Sequence, residues 1–330
     1  MSIPTKAKKE NLNLKSILIT GGAGFIGSNL VEALLNDVRV GKVRVLDNLS
    51  NGFKHNIEEF FSNPNFEFIE GDIRDYDTCL KACQDMDLVS HQAALGSVPR
   101  SIKDPLTTDQ VNIGGTLNMF NAVKESDVKR IVFAASSSTY GDSKNLPKVE
   151  EHIGRPLSPY AITKYVNELY ADVFAKSYSG FEYIGLRYFN VFGPKQDPNG
   201  AYAAVIPMFM KAAQLSKPPM INGDGSYTRD FTYVSNAVQA NLLSLFSDND
   251  NAVNEIYNVA CGERTTLTEL WNMICEVSGV EIKAKYGPAR DGDIPHSLAS
   301  IDKSRRILNY NPDVDVISGL KLLAGKHKGS

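Results

Sequence analysis

The chain has 330 residues, with 38 acidic against 35 basic side chains, a net charge of −3, 42% hydrophobic residues and 22% charged ones. That balance excludes a disordered chain, which combines low hydrophobicity with high net charge. It also lacks the basic excess with which electrostatic nucleic-acid binders grip phosphates. At a prior of about 150 residues per domain, the length corresponds to one large or two interlocked domains.

No stretch approaches the ~18 uninterrupted apolar residues of a membrane span, so no membrane partner is expected. The opening MSIPTKAKKENLNLK carries Lys6, Lys8 and Lys9 with no apolar run behind them, unlike a secretory signal. A cytoplasmic location is the expectation. The four cysteines, Cys79, Cys83, Cys261 and Cys275, do not make a disulfide framework, and none stands at zinc spacing, so no metal site is expected. Cys79 and Cys83, four apart in an amphipathic segment, read as small core residues.

Short β-rich runs alternate with helical periods through the first half. Residues 16–20, 43–46, 66–69, 88–91 and 131–134 read as strands, and 25–35, 76–83 and 105–123 as helices. A helix over 161–175 and a strand over 183–187 extend the series. Such alternation predicts an α/β fold with a doubly wound parallel sheet, because parallel strands need crossover connections. After Asn190 the chain fills with Gly, Pro and Asn, as in FGPKQDPNGAY and SKPPMINGDGS, and suggests a smaller part built on the carboxyl edge of the sheet. A helical run at 236–246 and a strand-like run at 256–260 return to the sheet, so the two parts are interleaved.

The strongest local signal is Gly21-Gly22-Ala23-Gly24-Phe25-Ile26-Gly27, directly after the first strand and opening the first helix. Glycines at 21, 24 and 27 let the backbone turn tightly and approach a pyrophosphate, which the helix N-terminus attracts. Asp47 ends the second strand, twenty residues beyond Gly27, where a carboxylate accepts hydrogen bonds from an adenosine ribose and repels a 2′-phosphate. NAD is therefore expected over NADP. Asp72, in EGDIRD after the third strand, reads either as a contact to the adenine edge or as a turn aspartate. In His91-Gln92-Ala93-Ala94 the small residues let the chain pass close to a cofactor, while His91 itself reads as packed. Asn48, Ile73 and Tyr188 complete the expected cofactor set.

A second signal is Tyr160-Ala161-Ile162-Thr163-Lys164. On a helix, residues four apart share a face, so the ammonium can lower the phenol from its reference pKa of about 10 and make it a general base. The spacing recurs in Tyr140-Gly141-Asp142-Ser143-Lys144, but that copy runs through a turn composition that would not align the pair. The run Ser136-Ser137-Ser138-Thr139-Tyr140-Gly141 follows the fifth strand, placing hydroxyls at the carboxyl edge where ligands bind in such sheets.

Together GGAGFIGS, Asp47, SSSTYG and YAITK resemble the extended short-chain dehydrogenase/reductase superfamily. LRYFNVFGP (186–194), Arg229-Asp230-Phe231 and Arg290-Asp291-Gly292-Asp293 are similar to its nucleotide-sugar branch, and the likeness runs from Ser16 to about Tyr310. The chain most resembles the UDP-hexose 4-epimerases, and among them the subgroup acting on UDP-N-acetylhexosamines, through LGSVPRS (95–101) and PKQDPNGAYAAVIP (194–207).

The resemblance implies a Rossmann NAD-binding domain over 1–187, with 231–260 returning to its sheet, and a smaller α/β nucleotide-sugar domain over 188–230 and 261–330. It implies reversible 4-epimerisation of UDP-N-acetylglucosamine and UDP-N-acetylgalactosamine through a 4-keto sugar, with NAD held like a prosthetic group. Tyr160 would be the base and Lys164 would hold the nicotinamide ribose; Ser136 would relay the proton, with Ser137 and Ser138 as alternatives. Arg229, Arg290 and Asn190 would hold the diphosphate end. Gly96, Ser97, Gln196 and Asp293 would line the substrate pocket, and Ser297 stands where relatives limited to non-acetylated sugars carry a tyrosine. A homodimer through the helices at 105–123 and 161–175 is also implied. Other open readings are a UDP-glucose/UDP-galactose or UDP-N-acetylhexosaminuronic acid 4-epimerase. A 4,6-dehydratase would need an Asp-Glu pair where Ser137 and Ser138 stand, and a silent NAD-binding protein would typically lose the Tyr or the Lys.

Overall fold

The computed structural model describes residues 14–198, 204–288 and 295–326. Six strands, β1 (Lys15–Thr20), β2 (Val40–Asp47), β3 (Phe66–Glu70), β4 (Leu88–His91), β5 (Arg130–Ser136) and β6 (Glu182–Tyr188), join the strand Glu255–Val259 in one sheet. Its order is Glu255–Val259, β6, β5, β4, β1, β2, β3, and every pairing is parallel. This is the doubly wound Rossmann arrangement. The order reverses between β1 and β4, which opens a crevice at the carboxyl ends of the strands.

Alternation along the strands feeds two apolar layers. Ile17 and Ile19 of β1 point into one core with Leu30, Val31 and Leu34 of α1 (Phe25–Leu35) and Ala237 of the helix Val234–Leu245. Leu18 points into the other, with Cys79 and Cys83 of α2 (Tyr76–Cys83), Met119, Phe120 and Phe174. Both cysteines are fully buried, and burial pushes their thiols up to about 12, so they behave as small apolar residues. A third cluster, with Phe192, Phe209, Trp271 and Leu320, sits under the helices Val205–Gln214 and Leu267–Ser278 beyond the sheet edge. Among the described residues no helix is long and apolar enough to cross a membrane.

The helix expected over 105–123 differs in detail. A short helix, α3 (Val98–Lys103), precedes it; α4 (Pro105–Asp109) then passes through a wide π turn at Gln110–Gly115 into α5 (Thr116–Lys124). Asp104 separates α3 from α4 and caps the latter, accepting from the Thr107 N–H at 3.1 Å, with Pro105 at the first helical position. Inside the π turn, Asn112 points inward: its Oδ1 accepts from the Leu95 N–H at 2.8 Å, and its amide donates to the Leu95 carbonyl and the Thr163 hydroxyl. Periodicity could not show this turn, because it is made by side-chain bonding to another segment.

The long helix α6 (Pro159–Ser177) is started by Ser158, whose hydroxyl accepts from the Ala161 N–H at 3.1 Å, and by Pro159. Its inward face carries Glu168, which meets Arg187 of β6 in a buried bidentate pair with N–O distances of 2.9 and 2.7 Å. Removing one partner of such a pair strands a buried charge, so Arg187→Ala should lower unfolding stability by about 3–5 kcal/mol in urea titration. An unchanged midpoint would show that the pair does not anchor α6.

Candidate functional site

At the sheet's carboxyl edge lies a cavity of about 530 Å³, within the range of small-molecule sites. Every residue expected at the cofactor lines it: Gly21, Gly24, Phe25, Ile26, Gly27, Asp47, Asn48, Asp72, Ile73, Gln92, Ala93, Ala94, Tyr160, Lys164 and Tyr188. The glycine loop forms one wall. Gly21 has φ +70°, and a Cβ there would come within 2.7 Å of the Ala93 N–H nitrogen; a Cβ on Gly27 would run into the Gly21 carbonyl. Only glycine gives this close approach of β1 loop, α1 and β4.

Asp47 anchors the loop from the end of β2. Its carboxylate accepts from the Ala23 N–H at 2.9 Å and the Leu49 N–H at 2.8 Å, while burial pushes its carboxyl upward. Asp72 lines the same wall, yet its oxygens already meet Arg74 in a bidentate pair and Asn48 Nδ2 at 2.8 Å. The Arg74 guanidinium leads in lowering its carboxyl to about 2. The turn-aspartate reading holds, since Asp72 also accepts from the Arg74 N–H at 2.9 Å, and the residue stands on the cavity wall as well. Gln92 is spent within the wall, donating to Asn241 and Ser90 and accepting from the Tyr188 hydroxyl at 3.2 Å. His91 is packed, between the Thr20 and Thr116 hydroxyls at 2.6 and 3.0 Å, and burial lowers it to about 3.

Tyr160 and Lys164 sit one turn apart on α6, facing the end of β5. The Lys164 Nζ donates to the Ala134 carbonyl at 2.8 Å and lies 6.0 Å from the centroid of the Tyr160 ring. Burial lowers this lysine to about 8, opposed by the Glu168 carboxylate one turn along the helix. Burial also raises the Tyr160 phenol, and the group that opposes the rise is the Ser136 hydroxyl. The Lys164 ammonium, which the sequence reading puts to the same use, is turned to the Ala134 carbonyl at the end of β5. Ser136 Oγ also lies 2.8 Å from Ser138 Oγ and accepts from the Ser138 N–H. Ser136 and Ser137 line the cavity, while Ser138 stands behind Ser136. The second Tyr/Lys copy is elsewhere: Tyr140 is buried with its hydroxyl on Asn258 Oδ1 at 2.6 Å, and Lys144 is exposed in irregular chain after the turn at Gly141 and Asp142.

Of the residues expected at the substrate, Gly96 and Asn190 line the cavity with Ser136 and Ser137. Ser97 caps α3, accepting from the Arg100 N–H, and Gln196 donates to the carbonyl of Val191, itself on the cavity wall. Arg229 and Ser297 meet across Thr228, whose carbonyl accepts from Arg229 Nη1 at 2.9 Å and from the Ser297 N–H at 3.1 Å. Arg290 and Asp293 lie outside the described residues. Sequence reading missed Ser50, Asn51 and Gly52, which line the wall beyond Asp47, and Val111 on the π turn. The polar, glycine-containing stretch directly after Asp47 was the available signal for the first three.

A parallel sheet with a glycine loop at its switch point, an acidic residue ending β2 and a Tyr/Lys pair facing a serine define a dinucleotide-dependent enzyme of the extended short-chain dehydrogenase type. The chain belongs to the NAD dependent epimerase/dehydratase family, whose model matches residues 17–260. A putative UDP-glucose 4-epimerase of Methanocaldococcus jannaschii is 40% identical over 307 residues, covering 92% of this chain and 96% of that protein. Among solved structures, the UDP-N-acetylglucosamine 4-epimerase of Methanobrevibacter ruminantium M1, in complex with UDP-N-acetylmuramic acid, is 41% identical. It superposes with a TM-score of 0.89 over 96% of this chain and 98% of that one. The UDP-glucose 4-epimerase of Thermotoga maritima, with UDP-glucose, is 36% identical, with a TM-score of 0.87 over 95% and 98%. NAD is the cofactor, and the glycine cradle and the anchored Asp47 fit it.

The charge on Lys164 gives a direct check. A lysine lowered to about 8 is cationic below that pH and loses its proton as pH rises through it, whereas ordinary lysines hold theirs to about 10.4. NMR titration of the lysine Nζ groups in protein stripped of nucleotide should single out one ammonium with a midpoint near 8, absent in Lys164→Met. A Lys164 midpoint at the ordinary value would contradict burial of its charged end.

Proposed function

We propose that this protein interconverts UDP-N-acetylglucosamine and UDP-N-acetylgalactosamine by reversible inversion at C4. The observation that carries the reaction class is the meeting of Tyr160, Ser136 and Lys164 at one end of the cavity whose other end is the glycine loop. The hydrogen on a sugar C4 is not acidic, so simple deprotonation cannot invert that centre, whereas oxidation to a ketone can. NAD, when bound, supplies the acceptor for the C4 hydride and returns it. Tyr160, as phenolate, takes the 4-hydroxyl proton. Ser136 hydrogen-bonds the same oxygen, and Ser138 behind it completes a short hydroxyl chain. Lys164 favours the phenolate as the nearest cation on its helix face.

The 4-keto sugar must turn over between the two hydride steps, so the sugar is held loosely and the UDP firmly. Arg229 and Asn190 suit the diphosphate end, as Arg290 does by sequence. Gly96 leaves open space at the sugar side, where a Cβ would meet nothing within 4 Å. The acetylated substrate is favoured by Ser297, a small side chain where a tyrosine would fill the room for a 2-acetamido group. A second reading, UDP-glucose and UDP-galactose, is supported by the names of the Methanocaldococcus and Thermotoga relatives.

Purified protein supplied with UDP-N-acetylglucosamine, with no NAD added, should form UDP-N-acetylgalactosamine. Tyr160→Phe should keep its fold and bound NAD while losing about 10²–10⁴-fold in turnover, the usual worth of a positioned acid/base. Turnover near wild type would remove Tyr160 from the chemistry. Ser297→Tyr should spare UDP-glucose conversion and block the acetylated sugar, and equal loss on both would show that the position does not gate size.

The same reading includes a homodimer through the helices at 105–123 and 161–175, that is α4, α5 and α6; to these we add α3, which packs beside α4 and α6. Ile102, Leu106, Ile162, Leu169 and Val173 are 65%, 76%, 49%, 48% and 54% exposed, an apolar face that a second copy would cover. Light scattering should give twice the 36.2 kDa chain mass, and the Leu106→Asp/Val173→Asp double variant should give one chain. A monomeric wild type would refute the dimer.

A further inference from the structure

Asp230 is a fully buried acid that the chemistry above does not use. Among the described residues its carboxylate meets backbone N–H groups: Oδ1 accepts from Cys261 at 3.1 Å, and Oδ2 from Gly262 at 3.2 Å and Ala299 at 3.1 Å, with the Glu263 amide beside them. Burial pushes its carboxyl up to about 7 against those amides. A buried anion met by neutral donors is expensive, and a neutral turn could close the same loops without it. What distinguishes this anion is which segments it joins.

Arg229 directly precedes it in the chain. The Asp230 carbonyl accepts from Asn190 Nδ2 at 2.9 Å, and that bond orients a residue held at φ +36°, in the left-handed region, on the cavity wall. Ala299, held by Oδ2, lies two residues beyond Ser297. That segment is tied back to the same place by the Ser297 N–H on the Thr228 carbonyl and by Arg229 Nη1 on the Pro295 carbonyl at 3.3 Å. Gly262, at φ +77°, turns its amide into the carboxylate from the loop after the last sheet strand.

We propose that Asp230 is a positioning residue for the nucleotide half of the substrate: its carboxylate holds Arg229 and Asn190 in register with the segment carrying Ser297. The inference rests on the nucleotide-sugar reading above. An asparagine of the same shape offers one oxygen and one NH2, so at least one of the three amides faces a donor in place of an acceptor. The segments then shift relative to each other while the Tyr160 end, on α6 and β5, stays as it is.

The test compares wild type with Asp230→Asn, both as NAD-loaded holoprotein. KM for the UDP-sugar and the dissociation constant of UDP alone, by calorimetry, should rise together by about tenfold or more, with NAD content unchanged and kcat falling far less. A folded variant that binds UDP as wild type does, or one that loses kcat with KM intact, overturns the proposal. Should Asp230→Asn fail to fold, amide exchange in the unmodified protein decides. Adding UDP should slow exchange at Cys261, Gly262 and Ala299, and unchanged exchange there overturns the proposal. A wild type that binds UDP but epimerises nothing would defeat the functional reading alone, because the UDP measurements on Asp230 stand without turnover.

Discussion

The site depends on the hydrogen bond between Lys164 and the Ala134 carbonyl. It fastens the face of α6 that carries Tyr160 to the strand that ends in Ser136, so that a phenol, an ammonium and a hydroxyl from two elements keep one geometry. A lysine buried there is costly, and two features offset the cost. The strand end supplies a carbonyl, and Glu168, itself locked to Arg187, supplies negative charge from one turn along the helix. The face of α6 thus runs from Tyr160, the proposed base, through a residue that holds charge, to one that fixes the helix on the sheet.

Glycine geometry sets the opposite end of the cavity. Gly21, Gly22 and Gly27 are crowded by Ala93, Val45 and the loop's own backbone, so a dinucleotide can approach only where side chains are missing. Asp47 adds rigidity as well as charge, since both its oxygens hold backbone amides of the two loops it joins. The cavity touches the third apolar cluster through Phe25, at the glycine-loop end, and through Val191, which both line the wall and pack against it. The Arg229 and Ser297 segments run between that cluster and the sheet, where buried hydrogen bonding sets their register.

Legibility in the sequence followed the physical range of each interaction. Strand–helix alternation and the glycine loop are local, and the loop from Gly21 to Gly27 and Asp47 could be placed from them, but not Ser50, Asn51, Gly52 or Val111 on the same wall. The composition around Tyr140 separated it correctly from Tyr160, because a turn cannot hold two side chains at helical spacing. The π turn at Gln110–Gly115 stayed hidden, as its cause, Asn112 on Leu95 and Thr163, lies outside any window of periodicity. Asp230 was visible only as part of a motif shared with relatives. Its three amide partners come from segments about 30 and 70 residues away, and no spacing rule reaches so far.

Central to this chemistry is that the hydrogen at C4 leaves and returns as a hydride without passing through water. UDP-N-acetylglucosamine carrying deuterium at C4, turned over in ordinary water, should give UDP-N-acetylgalactosamine that keeps the label at C4. Label lost to solvent, with inversion still complete, would mean that C4 is inverted through an exchangeable proton, and the roles of Tyr160, Ser136 and the cofactor cavity in hydride transfer would not stand.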